Sequence, residues 1–163
     1  MRGSGAAGNE VSTERPQFVE KTPPCAATCP NHNRVREMLM TIALADKHEK
    51  PYAQAFEEAF YIFLETTPFP SVCGRVCPHP CETGCNRQEK DGAVNVNKVE
   101  RFIGDYGIEK GLKPKKLTDE VRAEKVAVVG SGPGGMAAAY HLALRGYPVT
   151  VFEAFPKPGG MLR

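Results

Sequence analysis

Six cysteines constrain this chain more than any other feature. They stand at positions 25, 29, 73, 77, 81 and 85, as C-x3-C followed by C-x3-C-x3-C-x3-C. A spacing of four would lay the second group along one stripe of a helix. Pro78, Pro80 and Gly84 interrupt that helix, so Val72 to Asn86 reads as a loop curling around something. The two groups are separated by 43 residues and meet if two intervening helices pack as a hairpin. An iron–sulfur cluster suits such a loop, because thiolates converge on it while backbone N–H groups stay free to donate to its sulfurs. Cys29-Pro30 and Cys77-Pro78 are both Cys-Pro pairs. The piece Cys25-x3-Cys29-Pro30 reproduces the tail of the bacterial ferredoxin run, whose last cysteine ligates a different cluster from its companions. On that logic Cys25 and Cys29 serve two different sites. The spacing also suits structural zinc, with His32 and His79 near enough in sequence to join. For His79 the plain expectation is a loop histidine bonded to nearby backbone.

Composition narrows the function classes. Of 163 residues, 41% are hydrophobic and 25% charged, the balance of an ordinary globular protein. Lys and Arg number 21 against 19 Asp and Glu, leaving no electrostatic footprint for nucleic acid. The longest apolar run, Ala59 to Leu64, falls far short of the roughly 20 residues that span a bilayer. Met1 to Gln17 holds no hydrophobic segment of the secretory type. The expectation is a cytoplasmic protein without membrane insertion, whose cysteines serve metal or redox chemistry rather than disulfides.

Along the chain, residues 1–22 read as a flexible tail and 23–112 as a helical cysteine domain. Pro23 and Pro24 set an extended entry. Val35, Met38, Leu39 and Ile42 recur at helical spacing, with Asn31 or Asn33 as the cap. A second helix starts near Pro51, with Ala53, Phe56, Phe60, Phe63 and Leu64 on one face. A third starts near Val96, with Val99, Phe102, Ile103 and Tyr106 inward and Gly111 at its end. Residues 113–124 read as a polar, solvated linker.

From 125 to 163 the pattern changes. Lys125 to Val129 is a short β-branched run, Met136 to Arg145 reads as helix, and Val149 to Phe152 as a second strand. Between the first strand and the helix lies Gly130-Ser131-Gly132-Pro133-Gly134-Gly135, a G-x-G-x-x-G in the context that gives it meaning. Gly130 permits the tight turn, Gly132 lets backbone approach a pyrophosphate, and Gly135 allows close helix–strand packing. Pro133 and Gly134 belong to the same turn, and the phosphate charge would sit at the positive N-terminus of the helix that follows. Glu153, ending the second strand, stands where an acid bonds ribose hydroxyls, and Gly159-Gly160 follows it. The fold class expected is mainly α: a helical iron–sulfur domain, α-helical and ferredoxin-like, followed by the first βαβ unit of a Rossmann-type FAD-binding domain. One βαβ unit makes no complete sheet, so the chain reads as part of a larger enzyme.

The whole string, from Pro24-Cys25 through Val72-Cys73-Gly74-Arg75-Val76-Cys77-Pro78 and Val99-Glu100-Arg101-Phe102-Ile103 to Gly159-Gly160-Met161-Leu162, resembles the small (β) subunit of glutamate synthase and its relatives. Among these are the N-terminal region of dihydropyrimidine dehydrogenase and the large subunit of the ferredoxin-linked bifurcating transhydrogenase. The resemblance implies a helical domain holding iron–sulfur clusters, then FAD- and NAD(P)H-binding domains. Electrons would pass from NAD(P)H through FAD and [4Fe–4S] clusters to a partner, either a larger subunit or a ferredoxin-like protein. It further implies one cluster on Cys29, Cys77, Cys81 and Glu100. A second cluster in the family uses an upstream C-x2-C pair with the positions of Cys25 and Cys85. Here that pair falls at about Gln17 and Glu20, and both cysteines are missing. Either Cys73 supplies a third thiolate, with Gln17, Glu20 or a partner's residue completing the set, or Cys25, Cys73 and Cys85 are packed thiols. The reading from a different class is a zinc-stabilised helical module that docks a partner and moves no electrons.

Overall fold

The computed structural model describes residues 22–163, so Gln17, Glu20 and nearly all of the expected tail lie outside the described residues. The first element is a single turn, α1 (Pro24–Ala27), opened by Pro24 where a missing N–H is harmless. Only Pro23 keeps the extended conformation expected of the pair.

Helix α2 (Val35–Ala43) buries Val35 and Met38. Its cap differs from expectation: no side chain caps it, and Asn33 instead accepts hydrogen bonds from Thr66 Oγ1 (2.6 Å) and Thr67 Oγ1 (2.9 Å). Asn31 is likewise turned towards Thr67, 3.4 Å away. A 3₁₀ turn at Asp46–His48 leads to α3 (Tyr52–Leu64), which packs against α2. The buried stripe of α3 is Ala55, Ala59, Phe60, Phe63 and Leu64. Ala53 is exposed, contrary to expectation, because the i, i+4 stripe through 55, 59 and 63 turns it away. Phe56 sits at the edge, 5.0 Å and edge-on from Phe102.

The second cysteine segment is more regular than a loop. It forms two short helices, α4 (Pro70–Val76) and α5 (Pro80–Thr83), broken at Cys77, Pro78 and His79. Pro70 and Pro80 each open a helix, and Pro78 ends the register between them.

Helix α6 (Val96–Glu109) starts at Asn95, whose side chain accepts from the Lys98 N–H, and Gly111 follows its end at φ +62°. Its buried face is Val96, Asn97, Glu100, Ile103, Gly104 and Gly107. Val99 and Tyr106 are only half-buried and Phe102 is 48% exposed, so the helix is rotated from the expected face. The cause is backbone-close packing. A Cβ at Gly104 would overlap the Ser71 backbone, one at Gly107 the Phe60 ring, and one at Gly74 the Arg101 backbone. Glycine alone permits these approaches. Met38, Phe63 and Ile103 form the centre of the resulting core.

The C-terminal part is β1 (Val126–Val129), α7 (Pro133–Leu144) and β2 (Val149–Phe152). The strands are parallel, with Val126 beside Val149 and Val129 beside Phe152, as a βαβ crossover gives. Helix α7 begins at Pro133, three residues before the expected start, because Pro133 takes the first helical position. Gly146 ends it at φ +85°, against the Glu120 backbone.

Residues 113–124 are anchored rather than merely solvated. Leu117 N–H donates to Leu144 O, Arg122 N–H to Gly146 O, and Lys115 Nζ lies 3.8 Å from the Tyr61 ring centroid. Tyr140 of α7 donates its hydroxyl to Leu64 O at the end of α3 (2.9 Å). Among the described residues no helix is long and apolar enough to cross a membrane.

Candidate metal centre and dinucleotide turn

Cys73 lies inside α4, Cys77 directly after it, Cys81 inside α5, and Cys29 just beyond α1. The contacts of Gly74 and Gly104 draw α4 onto α6 and so carry Cys73 and Cys77 towards Glu100. Glu82 completes the frame by accepting from Asn97 N–H (2.8 Å), which ties α5 to the start of α6. The result is a cavity of about 130 Å³ lined by Cys29, Cys73, Cys77, Cys81, Glu100 and His79, among others.

The electrostatics of this cavity are those of a site lacking positive charge. Burial pushes the Cys73 thiol up to about 11, with Glu100, Cys77 and Cys29 adding to the effect. Burial, then Glu82, Cys29 and Cys77, do the same to Cys81, also to about 11. Glu100 is 7% exposed, and burial raises its carboxyl to about 7. Among the described residues its Oε1 is buried without a hydrogen-bond partner, as is Asn97 Nδ2. A buried polar atom left unpaired costs about 1–3 kcal/mol, and crowded thiols and carboxyls ionise together only around a cation. Among the described residues no three His, Cys, Asp or Glu side chains converge as a single metal ion needs. The donors instead stand around a volume. Thiolate donors with an orphaned carboxylate oxygen around such a volume fit a polynuclear iron–sulfur group.

The expected site residues therefore divide. Cys29, Cys77, Cys81 and Glu100 face one cavity, and Cys73 shares it. Cys25 and Cys85 do not line it. Cys25 packs at the edge of the hydrophobic core, and Cys85 accepts from the Val94 and Arg87 N–H groups, which lower its pKa. His79 bonds backbone, as a loop histidine does, with Nδ1 2.9 Å from Cys77 O. Asn97 and the Asn33–Thr66–Thr67 cluster have no signature in the sequence. Glu100 was reached through the resemblance alone: the expected face of α6 ran through Val99, Phe102, Ile103 and Tyr106, and the stripe that buries Glu100 emerges only from the packing of the helix.

At the second site Gly130 adopts φ +95°, the tight turn the motif requires. A Cβ at Gly135 would overlap Gly130 O and touch Val128, so the third glycine allows the helix to meet the strand. Gly132 and Gly134 face open space. Among the described residues no side chain caps α7, so its first N–H groups can turn to an anion. Gly159 N–H donates to Ser131 O (3.0 Å), and Gly160 lies against Gly132.

Glu153 is turned back onto this turn. It accepts from Ser131 Oγ, from Ser131 N–H (2.9 Å) and from Phe155 N–H (3.0 Å). The Ser131 hydroxyl, then these N–H groups, hold its pKa at about 2. A carboxylate depressed on folding stabilises above its ordinary pKa and loses that contribution as pH falls towards the folded value. Melting temperature is therefore expected to fall between pH 5 and pH 2, and Glu153→Gln to make that fall shallower. Thermal melts across the range check it; parallel curves for variant and parent would contradict it.

Residues 14–112 match the family described as dihydropyrimidine dehydrogenase domain II, 4Fe-4S cluster, and residues 128–163 match the NAD(P)-binding Rossmann-like domain. Over 90% of the chain, the sequence is 42% identical to the NADPH-Fe(3+) oxidoreductase subunit beta of Geobacter sulfurreducens, covering 21% of that protein. It is 34% identical to the NADP(+)-dependent formate dehydrogenase subunit beta of Moorella thermoacetica, over 99% of the chain and 24% of that protein. It is 38% identical to the glutamate synthase [NADPH] small chain of Bacillus subtilis, over 82% of the chain and 25% of that protein. The chain thus spans about a fifth to a quarter of these relatives.

Proposed function

Since the chain belongs to the dihydropyrimidine dehydrogenase domain II, 4Fe-4S cluster family, we propose that it is the electron-transfer part of an NAD(P)H-dependent flavin and iron–sulfur oxidoreductase. Cys29, Cys77, Cys81 and Glu100 would hold a [4Fe–4S] cluster in the cavity they line. The observation carrying this reading is the orphaned, buried Oε1 of Glu100 among those thiols. When bound, the cluster supplies reversible one-electron transfer at a potential set by its ligands and surroundings.

The chain's own residues do the rest. The three cysteines would give up their protons on holding the cluster, and Glu100, whose carboxyl burial raises to about 7, would give up its own. The glycine contacts of α4 and α6 fix the carboxylate against the thiols, and the apolar packing around Met38, Phe63 and Ile103 excludes water behind the cavity. The free N–H groups at the start of α7 would take the pyrophosphate of FAD. The junction of Tyr140 with Leu64 O holds that helix beside the cluster domain. NAD(P)H and a partner, a larger subunit or a ferredoxin-like acceptor, would engage the longer protein of which relatives are the pattern. Cys73 stands with the first cluster's ligands, leaving Cys25 and Cys85 as the pair available to a second. The domain division that suits this reading is 23–112, 113–124 and 125 onward. The matches hold nothing that favours a zinc-held docking module.

Anaerobic reconstitution followed by EPR of the reduced protein tests the reading. A [4Fe–4S] signal lost together in Cys77→Ser and Cys81→Ser but kept in Cys25→Ser supports it. A signal indifferent to Cys77 and Cys81 would overturn it. For the dinucleotide turn, Gly132→Ala is expected to leave the melting temperature unchanged, since nothing lies within 4 Å of the new Cβ. FAD retention should fall by roughly tenfold, about 1.4 kcal/mol, because that space is where the pyrophosphate approaches. Equal retention by both proteins would contradict it.

A further inference from the structure

His79 has a left-handed backbone at φ +43°, a conformation that L-residues other than glycine enter at a cost of about 1–2 kcal/mol. Such an outlier beside a site asks what it achieves. Its neighbours answer. Pro78 and Pro80 have no N–H, so His79 carries the sole backbone donor between Cys77 and Cys81. That N–H donates to Cys77 Sγ at 3.3 Å. The ring holds the bend: Nδ1 donates to Cys77 O at 2.9 Å, and Nε2 lies 3.8 Å from Glu82 Oε2. Glu82 is itself fixed by Asn97 N–H, which ties the helix that follows His79 to α6. The imidazole stands at the rim of the cavity, its side chain 45% exposed.

We propose that His79 is a positioning residue for the cluster: its left-handed backbone delivers the segment's one N–H to Cys77 Sγ, and this bond sets the ease of reduction of a cluster held there. The inference rests on the function proposed above. An N–H donated to a ligating sulfur offsets negative charge, and the reduced cluster carries more of that charge than the oxidised one. Losing the bond therefore shifts the couple towards the oxidised form.

Two substitutions separate the backbone from mere bulk. Asparagine tolerates the left-handed region, whereas a β-branched residue does not. In the anaerobically reconstituted protein, His79→Val is expected to shift the reduction equilibrium about tenfold towards the oxidised cluster, about 59 mV downward for one electron. His79→Asn is expected to keep the wild-type potential. Iron per chain and EPR-monitored redox titration are measured on each. Iron-loaded His79→Val at the wild-type potential would overturn the inference, as would an Asn variant shifted as far as Val. Should His79→Val fail to hold iron, histidine labelled with ¹⁵N at its backbone nitrogen alone decides it. A ¹⁵N hyperfine coupling to the reduced cluster, lost in His79→Asn because the label goes with the histidine, supports the bond, and no such coupling overturns it. Wild-type protein that takes up no iron refutes the underlying reading instead, which keeps the two failures apart.

Discussion

Glu100→Ala is expected to lower cluster retention at least tenfold while leaving the cluster-free protein as stable as the parent. The two halves have different causes. A ligand's loss is at least as severe as losing a residue that merely orients one, which costs about 10–100-fold in metal affinity. In the cluster-free chain the same carboxyl is buried with Oε1 unpaired, a burden of about 1–3 kcal/mol. Removing it offsets the loss of the one methylene beyond Cβ, about 0.8 kcal/mol, so the difference should stay within about 1 kcal/mol. Glu100→Gln keeps an oxygen at the same place and is expected to retain more iron than Ala. Iron per chain and urea melts of stripped protein read the two effects. A variant with normal iron, or one that unfolds outright when stripped, would show Glu100 to be an ordinary structural acid.

Gly104→Ala is expected to destabilise the helical domain by about 3 kcal/mol or more, at the upper end of overpacking costs. The added methyl would overlap the Ser71 backbone and Pro70, and main chain at a helix start has nowhere to retreat. The displacement also parts α4 from α6, so Cys73 and Cys77 move away from Glu100 and iron content should fall with stability. Gly134→Ala is the contrast. It sits in helix α7 with nothing within 4 Å, and alanine favours a helix over glycine by up to about 1 kcal/mol. Denaturant midpoints that moved alike for the two glycines would contradict the close-packing account.

Elements whose signals are local were legible in the sequence. The strand pair, its glycine turn and the helices ended by Gly111 and Gly146 follow from β-branched runs and from glycines, which accept positive φ at no steric cost. What was not legible depends on the partner surface. The face of α6 is set by Gly104 and Gly107, whose smallness invites close approach without giving a hydrophobic period, so Phe102 was expected inward and lies half-exposed. Asn33 has the chemistry of a cap, but the hydroxyls it binds arrive from 33 and 34 residues away. The short helices α4 and α5 have no clear signal in the sequence, because a proline marks a break as readily as a start, and here Pro70 and Pro80 open helices. At the cavity, the cysteines announce themselves by spacing. The burial of Glu100 becomes visible only once helix packing is known, and the position of Cys73 beside Cys29 rather than Cys25 likewise.

Iron and acid-labile sulfide per chain, measured after anaerobic reconstitution, test the central claim most directly. A cluster held by Cys29, Cys77, Cys81 and Glu100 gives about four of each, falling to background in a Cys77→Ser/Cys81→Ser double variant. A colourless protein that holds stoichiometric zinc and takes up no iron would contradict the account.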